Sequence, residues 1–253
     1  MRLDVYLAEH GLCRSRSRAA EMIRKSEVRV NGKTETKPSF EVPDGASVEM
    51  SQDTGFVGRG GEKLECAVQQ FGLDLVGKIC VDLGASTGGF TDCMLRHGAS
   101  RVFAVDVGTG QLAPSLVADE RVVNMENTNI RYMDPASVGP VGFAAADVSF
   151  ISLKYIFPVM RSMLAPDACA VCLVKPQFEA GREYIGKNGV VKDKKARYAA
   201  VQSVVGYARD NGMYPVGFTE SPIKGGEGNT EYLLCLTLSA EKERTIDTEM
   251  ILR

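Results

Sequence analysis

The chain has 253 residues, 44% of them hydrophobic and 25% charged, and its formal net charge is −2 at pH 7. This composition predicts a globular protein with room for one ordinary domain and a smaller one, and the small negative charge excludes a protein that coats nucleic acid over its whole surface. Because no run approaches the ~18 consecutive apolar residues of a membrane helix and the N-terminus lacks the apolar core of a secretory signal, we expect a cytoplasmic protein with no membrane partner.

The N-terminal segment is a basic module. Leu3, Tyr6 and Leu7 have helical spacing, and a second helix is expected to begin near Ser15, a favourable N-cap residue. Residues 14–37 hold eight basic and three acidic side chains, which leaves a net charge of +5. Because the helix dipole disfavours cations at a helix N-terminus, arginines there are better explained by phosphate binding than by helix stability. A solvated basic face is the alternative that the spacing leaves open.

Residues 2–50 as a whole resemble the S4-type RNA-binding domain. The resemblance rests on the Ser-Arg pairs at 15–18, on Ile23, and on the stretch "VRVNG" at 28–32, and it departs from the family at Ser26, where glycine is frequent. It implies binding of structured RNA, largely ribosomal, through shape and phosphate contacts. The side chains implied as RNA contacts are Arg14, Arg16, Arg18, Arg24, Lys25 and Lys33.

A polar stretch, "SQDTG", separates this module from a segment in which apolar strand-like runs alternate with helical patterns. The predicted strands are "KICVDLG", "RVFAVDVG", "RVVNMEN", "GFAAADVSF", "ACAVCLVKP", "YPVGFTESP" and "EYLLCLTLS". Such alternation predicts an α/β fold with a parallel, doubly wound sheet, helices on both faces and ligands at the carboxyl ends of the strands. We therefore expect domains at 1–50 and 58–240, a linker at 51–57, and a tail at 241–253 without a readable signal.

The stretch "VDLGASTGGF", residues 81–90, is a glycine loop directly after the first of these strands. Ser86 replaces the middle glycine of the dinucleotide pattern and would crowd a pyrophosphate, and no Gly-Lys-Ser/Thr follows as in a P-loop. Asp106 ends the next strand, where a ribose-binding acid belongs. The loop predicts a nucleoside carried without a diphosphate; the alternative is a tight strand-to-helix turn that binds nothing.

The loop and its acid together resemble motif I of S-adenosylmethionine-dependent methyltransferases. This resemblance implies a Rossmann-like fold. The resemblance implies that S-adenosylmethionine is the cofactor, that Asp106 binds its ribose, and that the stretch around Asn127 binds its adenine. The residues implied at its methionine end are Gly84, Ser86, Gly88, Gly89 and Phe90.

The end of the fourth predicted strand indicates the acceptor. Base N-methyltransferases have Asn/Asp-Pro-Pro-aromatic there to hold an amine, whereas this chain has Asp147-Val-Ser-Phe150, which disfavours an amine. A ribose hydroxyl is a weak nucleophile, so a neighbouring group must orient it or take its proton. A lysine does so only if burial and a like charge lower its pKa from ~10.4. The candidates at element ends are Lys63, Asp147, Lys175 and Glu231.

In this order the four candidates resemble the Lys-Asp-Lys-Glu tetrad of FtsJ-like ribose 2'-O-methyltransferases. Together with the S4-like module, the phrases "RGGEKL", "DLGASTGGFTDCML", "ADVSFISL", "LVKPQFE" and "GNTEYLL" make residues 2 to about 239 similar to the TlyA family, whose members are often called haemolysins. The family implies methyl transfer to the 2'-hydroxyl of a cytidine in ribosomal RNA.

The resemblance and the charges give each tetrad residue a role. Lys175, perturbed by Lys63 and held by Asp147, orients or deprotonates the hydroxyl. Glu231 and Lys63 position the ribose, and no metal, second cofactor or obligatory protein partner is implied. Short N-termini such as this one are expected in members that modify large-subunit RNA only, whereas longer ones accompany modification of both subunits.

Three other functions remain open at this point. A non-catalytic RNA-binding or ribosome assembly factor would use the basic module alone. A small-molecule O-methyltransferase would leave that module unexplained, and a membrane-active haemolysin would need an amphipathic or apolar insertion segment, which is not evident.

The segment 179–197 is a long polar loop with six basic residues. It predicts a mobile loop over the active site that binds RNA backbone, or equally an ordinary solvated insertion. Cys169 and Cys172 stand three residues apart in a predicted buried strand, so their side chains should point to opposite faces. With two histidines in the chain, we predict no zinc site.

Overall fold

The computed structural model describes residues 1–13, 15–24, 27–50, 55–186, 189–225 and 228–253. These residues form two compact units, Met1–Gly55 and Phe56–Arg253. The smaller unit combines helices with a short antiparallel sheet, and the larger one is an α/β unit built on a single sheet.

The smaller unit has two helices and three short strands among its described residues. They are α1 (Leu3–Glu9), α2 (Arg16–Arg24), β1 (Val28–Val30), β2 (Lys33–Glu35) and β3 (Val48–Met50). The strands pair antiparallel in the order β2-β1-β3. Leu3, Leu7 and Ile23 are fully buried in its core. The Ser15 hydroxyl accepts a hydrogen bond from Arg18 N at 3.2 Å, which confirms the predicted N-cap of α2.

The described residues of the larger unit form a seven-stranded sheet with helices between the strands. The strands are β4 (Ile79–Leu83), β5 (Arg101–Val105), β6 (Val122–Met125), β7 (Val141–Ala146), β8 (Leu164–Val174), β9 (Tyr214–Glu220) and β10 (Tyr232–Thr237). The α-helices are α3 (Gly60–Phe71), α4 (Gly89–Arg96), α5 (Pro114–Val117), α6 (Phe157–Met163), α7 (Pro176–Glu179) and α8 (Lys194–Asp210). Short 3-10 helices include Ile130–Tyr132 and Leu153–Tyr155.

The strand order is β6-β5-β4-β7-β8-β10-β9. Strands β4 to β8 pair in parallel, as predicted. The prediction of a parallel sheet is wrong for β10, which is antiparallel to both β8 and β9. A parallel neighbour needs a crossover of a dozen or more residues, usually a helix. The connection 221–231 contains no helix among its described residues, so β10 returns directly alongside β9.

Two hydrophobic clusters cover the two faces of the sheet. Leu64 of α3 and Met94 of α4 belong to one cluster, while Phe157 of α6 and Val204 of α8 belong to the other. The helices therefore lie on both faces, as predicted, and leave the edge formed by the carboxyl ends of the parallel strands to the loops.

The two cysteines of the C-x-x-C stretch follow the same alternation. Cys172 belongs to the cluster under α6 and α8, whereas Cys169 packs against the cluster under α3 and α4. Their side chains point to opposite faces of β8, as the spacing predicts.

Candidate active site

Four charged side chains from distant parts of the chain meet at the carboxyl edge of the sheet. Lys63 lies in the first turn of α3, while Asp147 and Lys175 directly follow the parallel strands β7 and β8. Glu231 directly precedes β10. Because β10 runs antiparallel to β8, its first residue lies at the same edge as the last residues of β7 and β8.

These four groups, which we call the charged row, alternate in sign. Glu231 Oε2 lies 2.7 Å from Lys63 Nζ, and Lys63 Nζ lies 3.6 Å from Asp147 Oδ2. Asp147 Oδ1 in turn lies 2.6 Å from Lys175 Nζ. Glu231, Lys63 and Lys175 are only 3%, 7% and 8% exposed, so each buried charge depends on its oppositely charged neighbour. The structure thus brings together all four candidates.

The loop after β7 adds contacts that sequence reasoning missed. Lys175 Nζ donates a hydrogen bond to Ser149 Oγ at 2.8 Å. The next residue, Phe150, has a φ of +62° and is 90% exposed, and its ring centre lies 5.1 Å from that of Phe178. A left-handed backbone is strained at a bulky residue and is concentrated at functional sites. The loop therefore holds an aromatic ring open to solvent beside Lys175.

Glu179, at the end of α7, links the loop after β7 to the segment that follows Lys175 through hydrogen bonds. Its carboxylate accepts hydrogen bonds from Ser152 Oγ at 2.6 Å and Leu153 N at 2.9 Å. Burial raises the pKa of the Glu179 carboxyl above its ordinary value, although these hydrogen bonds oppose the rise. The phrase "PQFE" was visible in the sequence, but nothing in it indicated the partner.

Asn229 holds the segment that carries Glu231. Its side-chain amide donates to Gly189 O at 3.0 Å and accepts from Val191 N at 3.0 Å, and the residue is 3% exposed. It thereby joins the described part of the connection between α7 and α8 to the start of β10. The predicted loop 179–197 is too long at both ends, because Glu179 ends α7 and Lys194 begins α8, so Lys194, Lys195 and Arg197 lie in a helix capped by Asp193. Lys187 of that loop lies outside the described residues. A single asparagine in a loop belongs to no motif or periodic pattern, so the sequence did not predict this role.

The glycine loop after β4 passes directly against the charged row. Gly84 has a φ of +91°, and a Cβ atom there would lie 2.6 Å from Asp147 O. Ser86 and Gly88 also have positive φ, +48° and +91°. Only glycine at position 84 allows the loop to approach Asp147 this closely.

Gly89 and Phe90 begin α4 and pack inward. A Cβ at Gly89 would lie 2.8 Å from Gly61 N, so its glycine permits close packing against α3. Phe90 is 3% exposed and belongs to the cluster under α3 and α4. Their placement at the methionine end of a cofactor stays a prediction, since the structure shows both in packing contacts.

Asp106 connects the loops that follow neighbouring strands. Its Oδ2 accepts from Ser86 N at 2.8 Å and its Oδ1 accepts from Gly108 N at 2.7 Å. Asn127, with a φ of +54°, donates from its backbone N to Gly108 O at 2.9 Å. A carboxylate oxygen can accept two hydrogen bonds. Each oxygen of Asp106 accepts one here, so the side chain can accept a further donor such as a ribose hydroxyl.

Asp82, within β4, anchors the helix that follows the glycine loop. It is fully buried, and its Oδ2 accepts from Thr91 N at 2.9 Å and from Thr91 Oγ1 at 2.7 Å. Burial raises the pKa of the Asp82 carboxyl to about 7, and the charge of Asp147 adds to the rise.

The raised pKa of Asp82 predicts a pH-dependent stability. Between about pH 4 and pH 7 the folded chain binds a proton at Asp82 that the unfolded chain, with a pKa near ~3.9, has released. The free energy of unfolding should therefore decrease as pH rises through this window, by roughly 4 kcal/mol at most. Asp82→Asn keeps the acceptor for Thr91 and should flatten the decrease. Urea unfolding of both chains across the window checks this, and equal slopes would contradict it.

In the smaller unit, the basic side chains implied as RNA contacts are largely open to solvent. Arg16, Arg24 and Lys33 are exposed, and Arg18 is half-buried. Arg16 Nη2 lies 3.4 Å from Asp4 Oδ2. Arg14 and Lys25, also predicted as contacts, lie outside the described residues.

Comparison with known proteins identifies both units. The FtsJ-like methyltransferase model matches residues 56–238, and the S4 domain model matches residues 1–48. A Mycobacterium tuberculosis protein named 16S/23S rRNA (cytidine-2'-O)-methyltransferase TlyA is 42% identical over 244 residues, which cover 95% of this chain and 91% of that protein. The chain belongs to the TlyA family of FtsJ-like methyltransferases.

Two other similar proteins carry a different name. Hemolysin A of Brachyspira hyodysenteriae is 41% identical over 235 residues, covering 92% of this chain and 98% of that protein. The solved structure of a Streptococcus thermophilus protein, named as a candidate hemolysin, is 40% identical with a TM-score of 0.78 and covers 100% of this chain and 93% of its own. In the part of this TlyA-family chain that the structure describes, no helix is both long and apolar enough to cross a membrane.

Away from the charged row, this TlyA-family chain has one group of side chains that could hold a metal ion among its described residues. It consists of Glu65, Cys93 and His97, whose ligand atoms all lie within 4.8 Å of one another. His97 Nε2 lies 2.7 Å from Glu65 Oε2, and Cys93 Sγ donates to the same oxygen at 3.7 Å. Burial raises the pKa of the Cys93 thiol, and the three groups satisfy one another as hydrogen-bond partners between α3 and α4.

Proposed function

We propose that the protein transfers a methyl group from S-adenosylmethionine to the 2'-hydroxyl of a cytidine in ribosomal RNA. The observation that carries this proposal is the charged row of Glu231, Lys63, Asp147 and Lys175 beside the glycine loop. The name of the Mycobacterium tuberculosis relative supports the same reaction. Of the two ribosomal subunits, we expect the large one to be the substrate.

The loops after β4, β5 and β6 fit S-adenosylmethionine. Gly84 and Gly88 hold left-handed backbone conformations that pack the loop against Asp147 and against Leu112 and Leu116, which fixes the path of the loop at this edge. Asp106 offers carboxylate oxygens to the ribose hydroxyls, and the turn at Asn127 lies beside it for the adenine. When bound, the cofactor supplies a methyl group that its sulfonium has already activated.

Lys175 is the residue that we assign to the acceptor hydroxyl. Its Nζ is held by Asp147 and Ser149, which leaves one of the three hydrogen-bonding positions of an amine for the 2'-oxygen. From this position Lys175 Nζ orients the 2'-hydroxyl for attack on the methyl group or takes its proton as the new carbon–oxygen bond forms and the sulfur–carbon bond breaks. Lys63 is shared between Glu231 and Asp147 and holds both carboxylates in place.

The RNA is held by groups outside the charged row. The S4 unit presents Arg16, Arg24 and Lys33 to solvent, and phosphate contacts of this kind position RNA without reading its sequence. Near Lys175, the exposed ring of Phe150 offers a face on which an unstacked cytosine can lie. The connection 180–193 is attached to the site through Asn229 and, with the basic first turn of α8, supplies further contacts to the RNA backbone.

The test is methyl transfer from labelled S-adenosylmethionine to separated small and large ribosomal subunits that lack the modification. We expect label on a cytidine of the large subunit, recovered as a dinucleotide resistant to alkali because the 2'-oxygen is blocked. The control is the same subunits already carrying the methyl group, which should accept no label.

Two outcomes would contradict the proposal. Label recovered on a base rather than a ribose would exclude the oxygen acceptor. No label on either subunit, with RNA binding intact, would leave a binding or assembly factor, in which the S4 unit acts alone.

A further inference from the structure

A cluster of aromatic and basic side chains lies exposed on the larger unit, outside the charged row. The guanidinium carbon of Arg131 lies 5.3 Å from the ring centre of Tyr132 and 4.8 Å from that of Tyr155. Tyr132 is 76% exposed and Tyr155 is 50% exposed. We call these three residues the tyrosine–arginine cluster.

The fold places this cluster at the same edge of the sheet as the charged row. Arg131 and Tyr132 belong to the 3-10 helix that follows β6, and Tyr155 ends the one that follows β7. Both strands are parallel and end at this edge. The hydrogen bonds of Glu179 to Ser152 and Leu153 fix the second helix against the segment that directly follows Lys175.

The two tyrosines are not required to hold these helices in place. Each 3-10 helix is anchored by an apolar neighbour: Ile130 is 6% exposed and Leu153 is 1% exposed. Caps fix the two turns as well, since Asn129 accepts from Arg131 N and Ser152 accepts from Lys154 N. The rings of Tyr132 and Tyr155 therefore remain in water although their burial would be favourable, which is typical of a surface that binds a partner.

The cluster carries positive charge. Arg131 supplies it between the two rings, and Lys154 directly precedes Tyr155 in a segment, 148–157, that contains no Asp or Glu. Asp134 follows the first helix, but its carboxylate accepts a hydrogen bond from Ala136 N and caps the next turn. A partner with flat rings and negative charge fits this chemistry, because bases stack on tyrosine and on guanidinium groups while phosphates pair with arginine.

We propose that the tyrosine–arginine cluster binds an unpaired nucleotide of the substrate RNA next to the one that is methylated. Tyr132 and Tyr155 provide the stacking faces, and Arg131 pairs with the phosphate while it holds both rings. The inference rests on the proposed function for its partner, RNA, and adds a binding site that neither the charged row nor the S4 unit supplies.

A tryptophan reporter tests the proposal directly. The chain has no tryptophan, so Tyr132→Trp introduces a single indole that preserves a stacking face. We expect its emission to be quenched in a saturable way by protein-free large-subunit RNA and by a single-stranded cytidine oligonucleotide. Unchanged emission at saturating RNA would overturn the proposal, since a stacked indole is quenched by the base.

Kinetic measurements on the full chain provide the second readout. Tyr132→Ala and Tyr155→Ala should each raise the KM for the ribosomal subunit by about 5- to 150-fold with little change in kcat, which is the range for loss of one stacked base. Tyr132→Phe should restore the wild-type KM. A wild-type KM for Tyr132→Ala would overturn a role for the ring. So would a rise in KM for Tyr132→Phe as large as that for Tyr132→Ala.

Two further variants separate stacking from charge and from general damage. Arg131→Ala should lower the salt dependence of RNA binding by about one phosphate contact, whereas the tyrosine variants should leave it unchanged. Tyr214→Ala changes the first residue of β9, at the opposite edge of the sheet, and should leave KM unchanged. An equal rise in KM for this control would attribute the effect to damage of the fold and overturn the assignment.

The readouts also distinguish this proposal from the proposed function. Quenching without any methyl transfer would reject the catalytic assignment and keep the RNA site. Methyl transfer without quenching, and without an effect of the tyrosine variants, would reject the RNA site and keep the catalytic assignment.

Discussion

Lys175→Ala is expected to lower kcat for methyl transfer to the ribosomal subunit by roughly 1,000-fold, since the step loses the group that orients the hydroxyl and takes its proton. Lys175 Nζ is bound by Asp147 and Ser149, and its amine is the group of the row that we assign to the acceptor hydroxyl. The KM for S-adenosylmethionine should change little. Single-turnover transfer from the labelled cofactor measures the effect without interference from product release.

Lys175→Arg tests which of the two roles dominates. Arginine keeps the positive charge beside Asp147 but stays protonated at any accessible pH. If Lys175 takes the proton, arginine should be as inactive as alanine; if it only orients the oxygen, arginine should retain part of the rate. Lys78→Ala, before β4 at the opposite edge, is the matched lysine control and should behave as wild type. A wild-type kcat for Lys175→Ala would reject a catalytic role for the charged row.

Gly84→Ala is expected to abolish cofactor binding and to lower the free energy of unfolding by roughly 3 kcal/mol, because strain and overpacking act together. The added Cβ would lie 2.6 Å from Asp147 O and 3.0 Å from Asp147 C, both backbone atoms, at a φ of +91°. Neither atom can move aside without displacing Asp147 from Lys63 and Lys175. Calorimetric titration with S-adenosylmethionine and urea unfolding measure the two effects.

Gly72→Ala is the matched control for the backbone strain alone. Gly72 caps α3 with a φ of +63°, and a Cβ there would meet nothing within 4 Å. The Gly72→Ala variant should lower the free energy of unfolding by about 1 kcal/mol and leave cofactor binding intact. Should Gly84→Ala bind the cofactor as tightly as this control, the close approach of the loop to Asp147 would have no role in binding.

Local patterns in the sequence predict most of the secondary structure of the larger unit. The stretch "RVFAVDVG" becomes β5, and "KARYAAVQSVVGYARDNG" becomes α8 with Asp193 as its N-cap. Periodicity and capping are properties of neighbouring residues, so the chain itself carries this information. The start of β8 is less readable, because α6 ends at Met163 and the strand begins at Leu164 without a turn residue between them.

Strand direction and side-chain partners depend on contacts that are remote in the chain. The same alternating pattern suits a strand of either direction, so the pattern alone could not show that β10 is antiparallel. Lys63 and Glu231 lie 168 residues apart, and their order was recognised by resemblance to a family, not by geometry. Ser149 and Asn229 act through partners 26 and 40 residues away. Single polar residues in loops have no periodicity that would reveal such pairings.

The alternation of charge in the row restricts how this edge of the protein can change over generations. Removing Lys63 leaves Glu231 buried without a counterpart, and removing Asp147 does the same to Lys175, at a cost of about 3–5 kcal/mol, which is a large share of the stability of an ordinary domain. Removing Glu231 or Lys175 leaves the remaining charges paired, because Lys63 and Asp147 still face each other. A descendant that abandoned methyl transfer should therefore lose an outer member of the row first, or lose an inner member together with its outer neighbour.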